Sequence, residues 1–232
     1  SASCSFAQEG QVSIVYNGEI YNTDEIVPDL RKKGYEFYTT GDTEVILYAY
    51  IEYGLECAEM LNGIFAFAIW DSEEERLVLC RDQLGVKPLF YTVQNGMLAF
   101  GSEIKALFCH PKIVPQADDD SFREIFAVGP ARTPGSGVFK GINEILPGHM
   151  AIFSKEGFRQ MRYWALEARH HTDSYAETVE KVTFLVRDAI RRQMVSDVPV
   201  CSFLSGGLDS SVITAVASKL IEEDGGTLNT FS

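Results

Sequence analysis

Residues 205–211 (SGGLDSS) combine two glycines, three serines and an aspartate. Gly206 and Gly207 allow a sharp backbone turn, after which successive N–H groups point into one concavity at a helix N-terminus and favour an anion. Serine hydroxyls add donors for phosphate oxygens, and a carboxylate suits a bridging Mg²⁺ ion. This chemistry indicates phosphate binding. The alternative is a plain strand-to-helix turn in which Ser and Asp only cap the helix.

The elements around this turn favour the phosphate site. Ser174 and Glu177 form a capping-box pattern that predicts a helix start. Apolar residues then recur at helical spacing at Val179, Val182, Val186, Ala189, Ile190 and Met194. The run VCSFL (200–204) predicts a buried strand, and a second helical period covers 212–220. The order helix, strand, glycine turn, helix is typical of the start of an α/β nucleotide-binding sheet. The chain contains one strand of such a sheet and the beginning of a second.

A second candidate site lies at Asn17 and Gly18, which end a β-rich run, QVSIVY (11–16). A side-chain amide and a backbone N–H there can both donate to an oxyanion during amide cleavage. On the residues alone we favour the other interpretation, a tight Asn-Gly turn, which this dipeptide forms readily.

The chain up to about Tyr163 has the pattern of short strands joined by tight turns. Predicted strands cover 11–16, 64–70, 76–80, 88–93 and 97–100, with a hairpin turn at Asn95 and Gly96. Predicted helices cover 24–33 and 43–53, the second ending at Gly54. The polar segment 165–175 carries no strand pattern, so we place a domain boundary there.

Composition narrows the class of protein. The 232 residues carry a net charge of −13, which disfavours nucleic acid or anionic lipid as the main partner. No apolar stretch approaches the roughly 20 residues of a membrane span, and the start is not a secretory signal. Five scattered cysteines without a CxxC pair indicate reduced thiols in a cytoplasmic protein rather than disulfides or a zinc site.

Several segments together resemble glutamine-dependent asparagine synthetases. The matching segments are YNGEIYN (16–22), TGDTEVIL (40–47), LNGIFAFAIWD (61–71), RDQLGVKPLFY (81–91), GSEIKAL (101–107), ILPGHM (145–150) and SDVPVCSFLSGGLDSS (196–211). The last contains the SGGxDS signature of ATP pyrophosphatases, whereas the Walker A pattern is absent. The resemblance implies an α+β fold: an N-terminal nucleophile hydrolase-type αββα sandwich with antiparallel sheets, then the start of an α/β ATP pyrophosphatase domain. We expect the glutaminase domain at 1–165 and the synthetase domain at 175–232.

The resemblance also implies roles for residues. Asn17 and Gly18 match the oxyanion hole, and with Glu19 and Asp42 they match the glutamine-binding set, in which carboxylates take the α-amino end. Asp42 is also a candidate N-cap of the helix over 43–53. We interpret Arg81, Asp82 and Lys87 as structural residues. They are expected to form local charge pairs that hold the chain where it leaves a hairpin. The residues implied to bind ATP are Leu204, Ser205, Gly206, Gly207, Asp209 and Ser210, with Asp209 also as a Mg²⁺ ligand.

The implied reaction uses glutamine, aspartate and ATP with Mg²⁺. Ammonia released from glutamine displaces AMP from adenylated aspartate and gives asparagine. The resemblance also implies a homodimer. The family's nucleophile is a cysteine at the first position, followed by Gly-Ile. This chain begins Ser1-Ala2-Ser3-Cys4, so we do not assign the nucleophile to Cys4. We therefore expect an internal piece of a longer protein, inactive alone.

Two other functions remain open at this point. Relatives with the same two domains close β-lactam rings or cyclise peptides and use a glutaminase-like domain without the cysteine. A non-catalytic scaffold module is the third hypothesis. The acceptor pocket is expected beyond Ser232, so the sequence does not identify the acceptor.

Overall fold

The computed structural model describes residues 12–94, 96–129, 131–196, 198–223 and 225–232 in full, and 5–9 by their backbone. Predictions at Cys4, Gln11 and Asn95 lie outside the fully described residues. The chain divides into two units, Ser1–Leu166 and Glu167–Ser232. No helix in the described ranges is long and apolar enough to cross a bilayer.

Two antiparallel sheets form the centre of the first unit. The larger has the order β1-β2-β3-β4-β8-β9: β1 (Ser5–Glu9), β2 (Val12–Ile20), β3 (Gly63–Asp71), β4 (Arg76–Arg81), β8 (His149–Ser154) and β9 (Gly157–Arg162). The smaller has the order β6-β5-β7: β5 (Phe90–Gln94), β6 (Met97–Gly101) and β7 (Asn143–Glu144). Each predicted strand is present, and β2 continues four residues past the predicted run to Ile20.

The helices of this unit form two groups in sequence, one between β2 and β3 and the other between β6 and β7. They are α1 (Thr23–Lys32), α2 (Asp42–Tyr53), α3 (Cys57–Met60), α4 (Ile104–Leu107) and α5 (Asp119–Arg123). A 3₁₀ turn covers Gly54–Glu56 and a π-helical turn covers Glu124–Val128. Gly54 ends α2 at φ 60° and donates its N–H to the Tyr50 carbonyl, as predicted for a C-terminal glycine.

Three apolar clusters show how the layers stack. The first joins the helices to one face of the large sheet and includes Leu30, Ile46, Tyr50, Phe65, Phe67 and Ile69. The second fills the space between the sheets and includes Ala66, Ala68, Leu79, Tyr91 and Ile145. The third packs the small sheet against α4 and includes Phe90, Leu107, Ile113 and Ile142. The layers are therefore helix, sheet, sheet, helix, which confirms the predicted α+β sandwich with antiparallel sheets.

Strand β3 shows why its sequence is apolar throughout. Side chains alternate between the two faces of a strand. Phe65, Phe67 and Ile69 face the helices, and Ala66 and Ala68 face the second sheet. Because both faces are covered, the strand has no polar alternation.

The second unit contains α6 (Tyr175–Arg192), β10 (Cys201–Phe203), α7 (Leu208–Glu223) and β11 (Asn229–Phe231). The predicted capping box is present: the Ser174 hydroxyl accepts from the Glu177 N–H at 3.4 Å, and the Glu177 carboxylate accepts from the Ser174 N–H at 2.8 Å. Strands β10 and β11 pair in parallel.

The prediction of a buried strand at 200–204 is wrong for this structure, because Phe203 is 79% exposed. Two strands of three residues and two helices provide too little surface to enclose it. The apolar stripe of α6 is also exposed, and none of its residues is buried.

Candidate functional site

The candidate site at Asn17 and Gly18 lies in the second half of β2. Asn17, Gly18 and Glu19 pair with Ala66, Phe65 and Ile64 of β3, so the alternative of an Asn-Gly turn is wrong. Asn17 is buried and Glu19 is exposed. The segment is a strand with a fixed register, which holds its backbone groups in defined directions.

Gly18 is required by a close approach of two strands. A Cβ atom at this position would overlap the carbonyl oxygen of Ile64 and lie 2.7 Å from the Phe65 Cα. These are backbone atoms of β3, and they cannot move aside as a flexible side chain would. No other residue type fits at position 18 without a shift of the sheet.

The N–H of Gly18 points away from β3. Phe65 uses its carbonyl to accept from the Asp82 N–H at 2.8 Å and donates its own N–H to the Asp82 carboxylate at 3.3 Å. Its pair with Gly18 is therefore a non-hydrogen-bonded pair, and both backbone groups of Gly18 face the β1 side. The described pairing with β1 ends at Ser5 and Tyr16, so the Gly18 N–H lies beyond it.

Asp42 joins the first turn of α2 to the same segment. Its Oδ2 accepts from the Tyr16 hydroxyl at 2.7 Å and from the Ile20 N–H at 2.9 Å. The prediction that Asp42 caps α2 is wrong: α2 begins at Asp42, its N-cap is Gly41, and no side chain caps it. The carboxylate bonds across to β2, and this brings Asp42 next to Asn17, Gly18 and Glu19.

Burial raises the pKa of Tyr16 well above its usual value, and the charge and hydrogen bond of Asp42 raise it further. The raised pKa keeps the Tyr16 hydroxyl in its protonated form. It remains a donor to Asp42.

Glu44 holds the loop that precedes α2, and sequence reasoning did not single it out. Its carboxylate accepts from the N–H of Tyr38 at 3.0 Å, and from the N–H and hydroxyl of Thr39 at 2.9 and 2.7 Å. Burial raises the pKa of Glu44, but the bonds from Tyr38 and Thr39 outweigh it and the net pKa is lowered. The sequence did contain an indication of this role, because Glu44 lies three residues after Gly41 and a glutamate at that position often stabilises the start of a helix.

Ser102 was also missed. Its hydroxyl accepts from the Asn17 side-chain amide at 3.4 Å, although the two residues are 85 positions apart. Ser102 follows β6, in the segment GSEIKAL. The contact fixes one amide hydrogen of Asn17 and leaves the other to point elsewhere.

The segment after β4 has the predicted structural role, but with different partners. The buried Asp82 accepts from the N–H groups of Leu84 at 3.1 Å, Val86 at 2.9 Å and Lys87 at 2.9 Å. Arg81 pairs with Glu144 at 3.1 Å, with both side chains 8% exposed. The prediction of local charge pairs is therefore wrong, because Asp82 bonds to backbone groups and Arg81 pairs across the fold.

The glycine turn precedes α7 in the second unit. Gly206 has φ 79°, a conformation that L side chains rarely adopt. The Ser205 and Ser210 hydroxyls lie 3.0 Å apart, and the Ser210 hydroxyl also donates to the Gly207 carbonyl at 3.1 Å. The first N–H groups of α7 have no partner within the helix and are available to an anion.

Asp209 lies exposed in the first turn of α7. Among the described residues, no three His, Cys, Asp or Glu side chains gather into a metal site. Mg²⁺ commonly uses only one or two carboxylates together with substrate phosphates, so a single exposed Asp209 beside the glycine turn is compatible with this ion.

Comparisons with known proteins agree with the resemblance. A model described as "Glutamine amidotransferase domain" matches residues 4–164, and one described as "Asparagine synthase" matches 181–232. Asparagine synthetase [glutamine-hydrolyzing] 3 of Bacillus subtilis is 53% identical over 221 residues, 95% of this chain and 36% of that protein. Amidase chyE of Penicillium rubens is 34% identical over 225 residues, 93% of this chain and 32% of that protein.

A solved structure is also similar: glutamine phosphoribosylpyrophosphate amidotransferase of B. subtilis, with ADP and GMP. It is 17% identical with a TM-score of 0.47, over 100% of this chain and 48% of that one. The chain spans about a third of the length of the curated relatives it matches. The two family models and the 53% identity show that the chain belongs to the glutamine-dependent asparagine synthetase family.

Proposed function

We propose that the chain is part of a glutamine-hydrolysing asparagine synthetase. Residues 1–165 form the glutaminase domain, and residues 175–232 begin the domain that uses ATP. Ammonia from glutamine reacts with adenylated aspartate and gives asparagine, AMP and pyrophosphate. Family membership and the relative that is 53% identical support this assignment.

One observation carries the glutaminase half: Asp42 accepts hydrogen bonds from both flanks of the Asn17–Glu19 segment, at Tyr16 and Ile20. The α-ammonium group of glutamine is recognised by Asp42 and Glu19, because a carboxylate forms strong charge-assisted hydrogen bonds to a cation.

The amide carbonyl of glutamine then lies near Gly18 and Asn17. When a thiolate attacks this carbonyl, its oxygen becomes negatively charged. The outward N–H of Gly18 and the Asn17 amide donate to this oxyanion. The C–N bond then breaks, the nitrogen takes up the proton that the thiol gave up and leaves as ammonia, and the carbon becomes a thioester. Water hydrolyses the thioester to glutamate and restores the thiol. The attacking thiol is the family's N-terminal cysteine, which we assign to no residue of this sequence.

The ATP-using half rests on the glycine turn. We assign ATP binding to Leu204, Ser205, Gly206, Gly207, Asp209 and Ser210. Backbone N–H groups and hydroxyls hold the β- and γ-phosphates, and Asp209 would hold Mg²⁺, which neutralises phosphate charge when bound. The open N-terminus of α7 and the positive φ of Gly206 support this assignment.

The test measures asparagine formation by the full-length protein with ATP and Mg²⁺, from glutamine and separately from ammonium. Asp42→Asn is expected to abolish most glutamine-dependent synthesis and to leave ammonium-dependent synthesis intact. Gly206→Ala is expected to impair both, since alanine is strained at φ 79°. Asp119→Asn is the matched control, because Asp119 is also an acidic residue in the first turn of a helix.

Other outcomes would overturn the proposal. Ring closure of a bound carboxylate without glutamine hydrolysis would identify a β-lactam- or peptide-cyclising relative. Failure of the full-length protein to bind ATP with Mg²⁺ by calorimetry would identify a scaffold.

We further propose a cytoplasmic homodimer. The free thiols Cys57, Cys80, Cys109 and Cys201 support a reducing compartment. Light scattering on the full-length protein tests the dimer, and a monomeric mass at working concentration would contradict it.

A further inference from the structure

We propose that Tyr16 is a positioning residue that orients the Asp42 carboxylate toward the α-ammonium group of glutamine. The proposal rests on the proposed function of Asp42. Tyr16 is 3% exposed and lies directly before Asn17 on β2. It acts on the substrate only through the carboxylate that its hydroxyl contacts.

The geometry assigns different tasks to the two oxygens of Asp42. Oδ2 accepts both hydrogen bonds, from Tyr16 at 2.7 Å and from the Ile20 N–H at 2.9 Å. Both of these hydrogen bonds end on the same oxygen, and neither uses Oδ1. One oxygen thus anchors the side chain, and the other is left for a ligand.

Two donors on one oxygen fix the plane of the carboxylate. The terminal torsion of an aspartate is broad and two-fold, so a single hydrogen bond leaves the group free to rotate. The Ile20 N–H is fixed by the β2 backbone, and the Tyr16 hydroxyl is fixed by burial of its ring in the helix-side cluster. Of the two donors, only the hydroxyl of Tyr16 comes from a side chain and can be removed by substitution.

A structural tie between β2 and α2 would use the same contacts, so the test needs a readout specific to the α-ammonium group. Such a readout is the ratio of kcat/KM for L-glutamine to kcat/KM for 4-carbamoylbutanoate, which is glutamine without its α-amino group. Loss of folded protein lowers both values equally and leaves the ratio unchanged.

In the full-length protein, Tyr16→Phe is expected to lower this ratio about tenfold, the worth of one hydrogen bond to a charged group. The change comes from a higher KM for L-glutamine, with kcat little changed and the analogue unaffected. Tyr50→Phe is the matched control: Tyr50 is equally buried and donates to Asp71 at 3.0 Å, away from the site. The ratio for Tyr50→Phe is expected to equal that of the wild type.

Asp42→Asn separates failure of the inference from failure of the proposed function. If Asp42→Asn leaves the ratio unchanged, Asp42 does not bind the α-ammonium group and the proposed function fails. If Asp42→Asn lowers the ratio and Tyr16→Phe does not, only the role of Tyr16 is overturned. The double variant gives a further check, because the two effects should be non-additive if Tyr16 acts through Asp42.

Discussion

Gly18 meets two requirements at one position: close contact with the β3 backbone and an N–H that faces away from it. We expect Gly18→Ala to destabilise the fold by about 3 kcal/mol, the upper part of the usual range for overpacking, because the clash is with backbone. Urea denaturation of the chain measures this loss as a lower midpoint.

Gly41→Ala is the matched control for Gly18→Ala. A Cβ at Gly41 meets only the Thr39 hydroxyl oxygen, at 3.7 Å, which is ordinary contact. Its midpoint is expected to fall much less than that of Gly18→Ala, by the small cost of alanine at the N-cap of α2. Equal midpoints for Gly18→Ala and Gly41→Ala would show that β2 and β3 can separate at Gly18 at little cost.

At the scale of single residues, the sequence indicates which residues are candidates for the site better than it indicates their hydrogen-bond and ion-pair partners. Asn17, Gly18 and Asp42 were all predicted as site residues, and the structure brings them together. The partner of Asp42 was not predicted, because capping is a local rule and the observed bonds cross 22 and 26 positions to β2. The pairing of Arg81 with Glu144 escaped prediction for the same reason: sequence spacing does not show which distant charge shares a buried site.

At the scale of elements, local patterns predicted most of the fold. The Ser174–Glu177 capping box and the Gly54 helix end were predictable because their hydrogen bonds join near neighbours. The apolar run at 64–70 predicted β3 because a strand covered on both faces needs no polar alternation. Burial of β10 could not be predicted from its own residues, since burial depends on the layers around a strand.

The start of α2 depends on an ionised glutamate. The pKa of Glu44 is lowered from its usual value of 4.5, as the hydrogen bonds from Tyr38 and Thr39 outweigh burial. A pKa lower in the folded than in the unfolded state contributes stability that is present above the unfolded pKa and is lost as pH falls through the folded pKa. When the pH is lowered below 4.5, we expect the free energy of unfolding to decrease less in Glu44→Gln than in the wild type.

Urea denaturation between pH 3 and pH 6, about the range in which carboxyl groups titrate, checks this prediction. Glu59→Gln serves as the control, because Glu59 is an exposed glutamate on the neighbouring helix α3. A Glu44→Gln curve parallel to that of the wild type would show that the loop at 38–41 does not depend on the Glu44 charge.

At the scale of the whole molecule, apolar burial is concentrated in the first unit. All three apolar clusters lie within Ser1–Leu166, whereas Ala217 is the one buried apolar residue found in the described part of Glu167–Ser232. Helices owe most of their stability in proteins to packing of an apolar face rather than to propensity. The described part of the second unit therefore has little buried apolar surface to stabilise its helices.

Hydrogen exchange of the 232-residue chain should separate the two units. Helices α2 and α6 form a matched pair, since both have intrahelical hydrogen bonds, but α2 buries six consecutive residues from Val45 to Tyr50 and α6 buries none. Local opening is cheap where few apolar contacts are lost, so α6 is expected to exchange far faster than α2. Peptides from α2 and α6, measured by mass spectrometry, report the difference. Equal protection of the two helices would show that the apolar stripe of α6 is covered in solution.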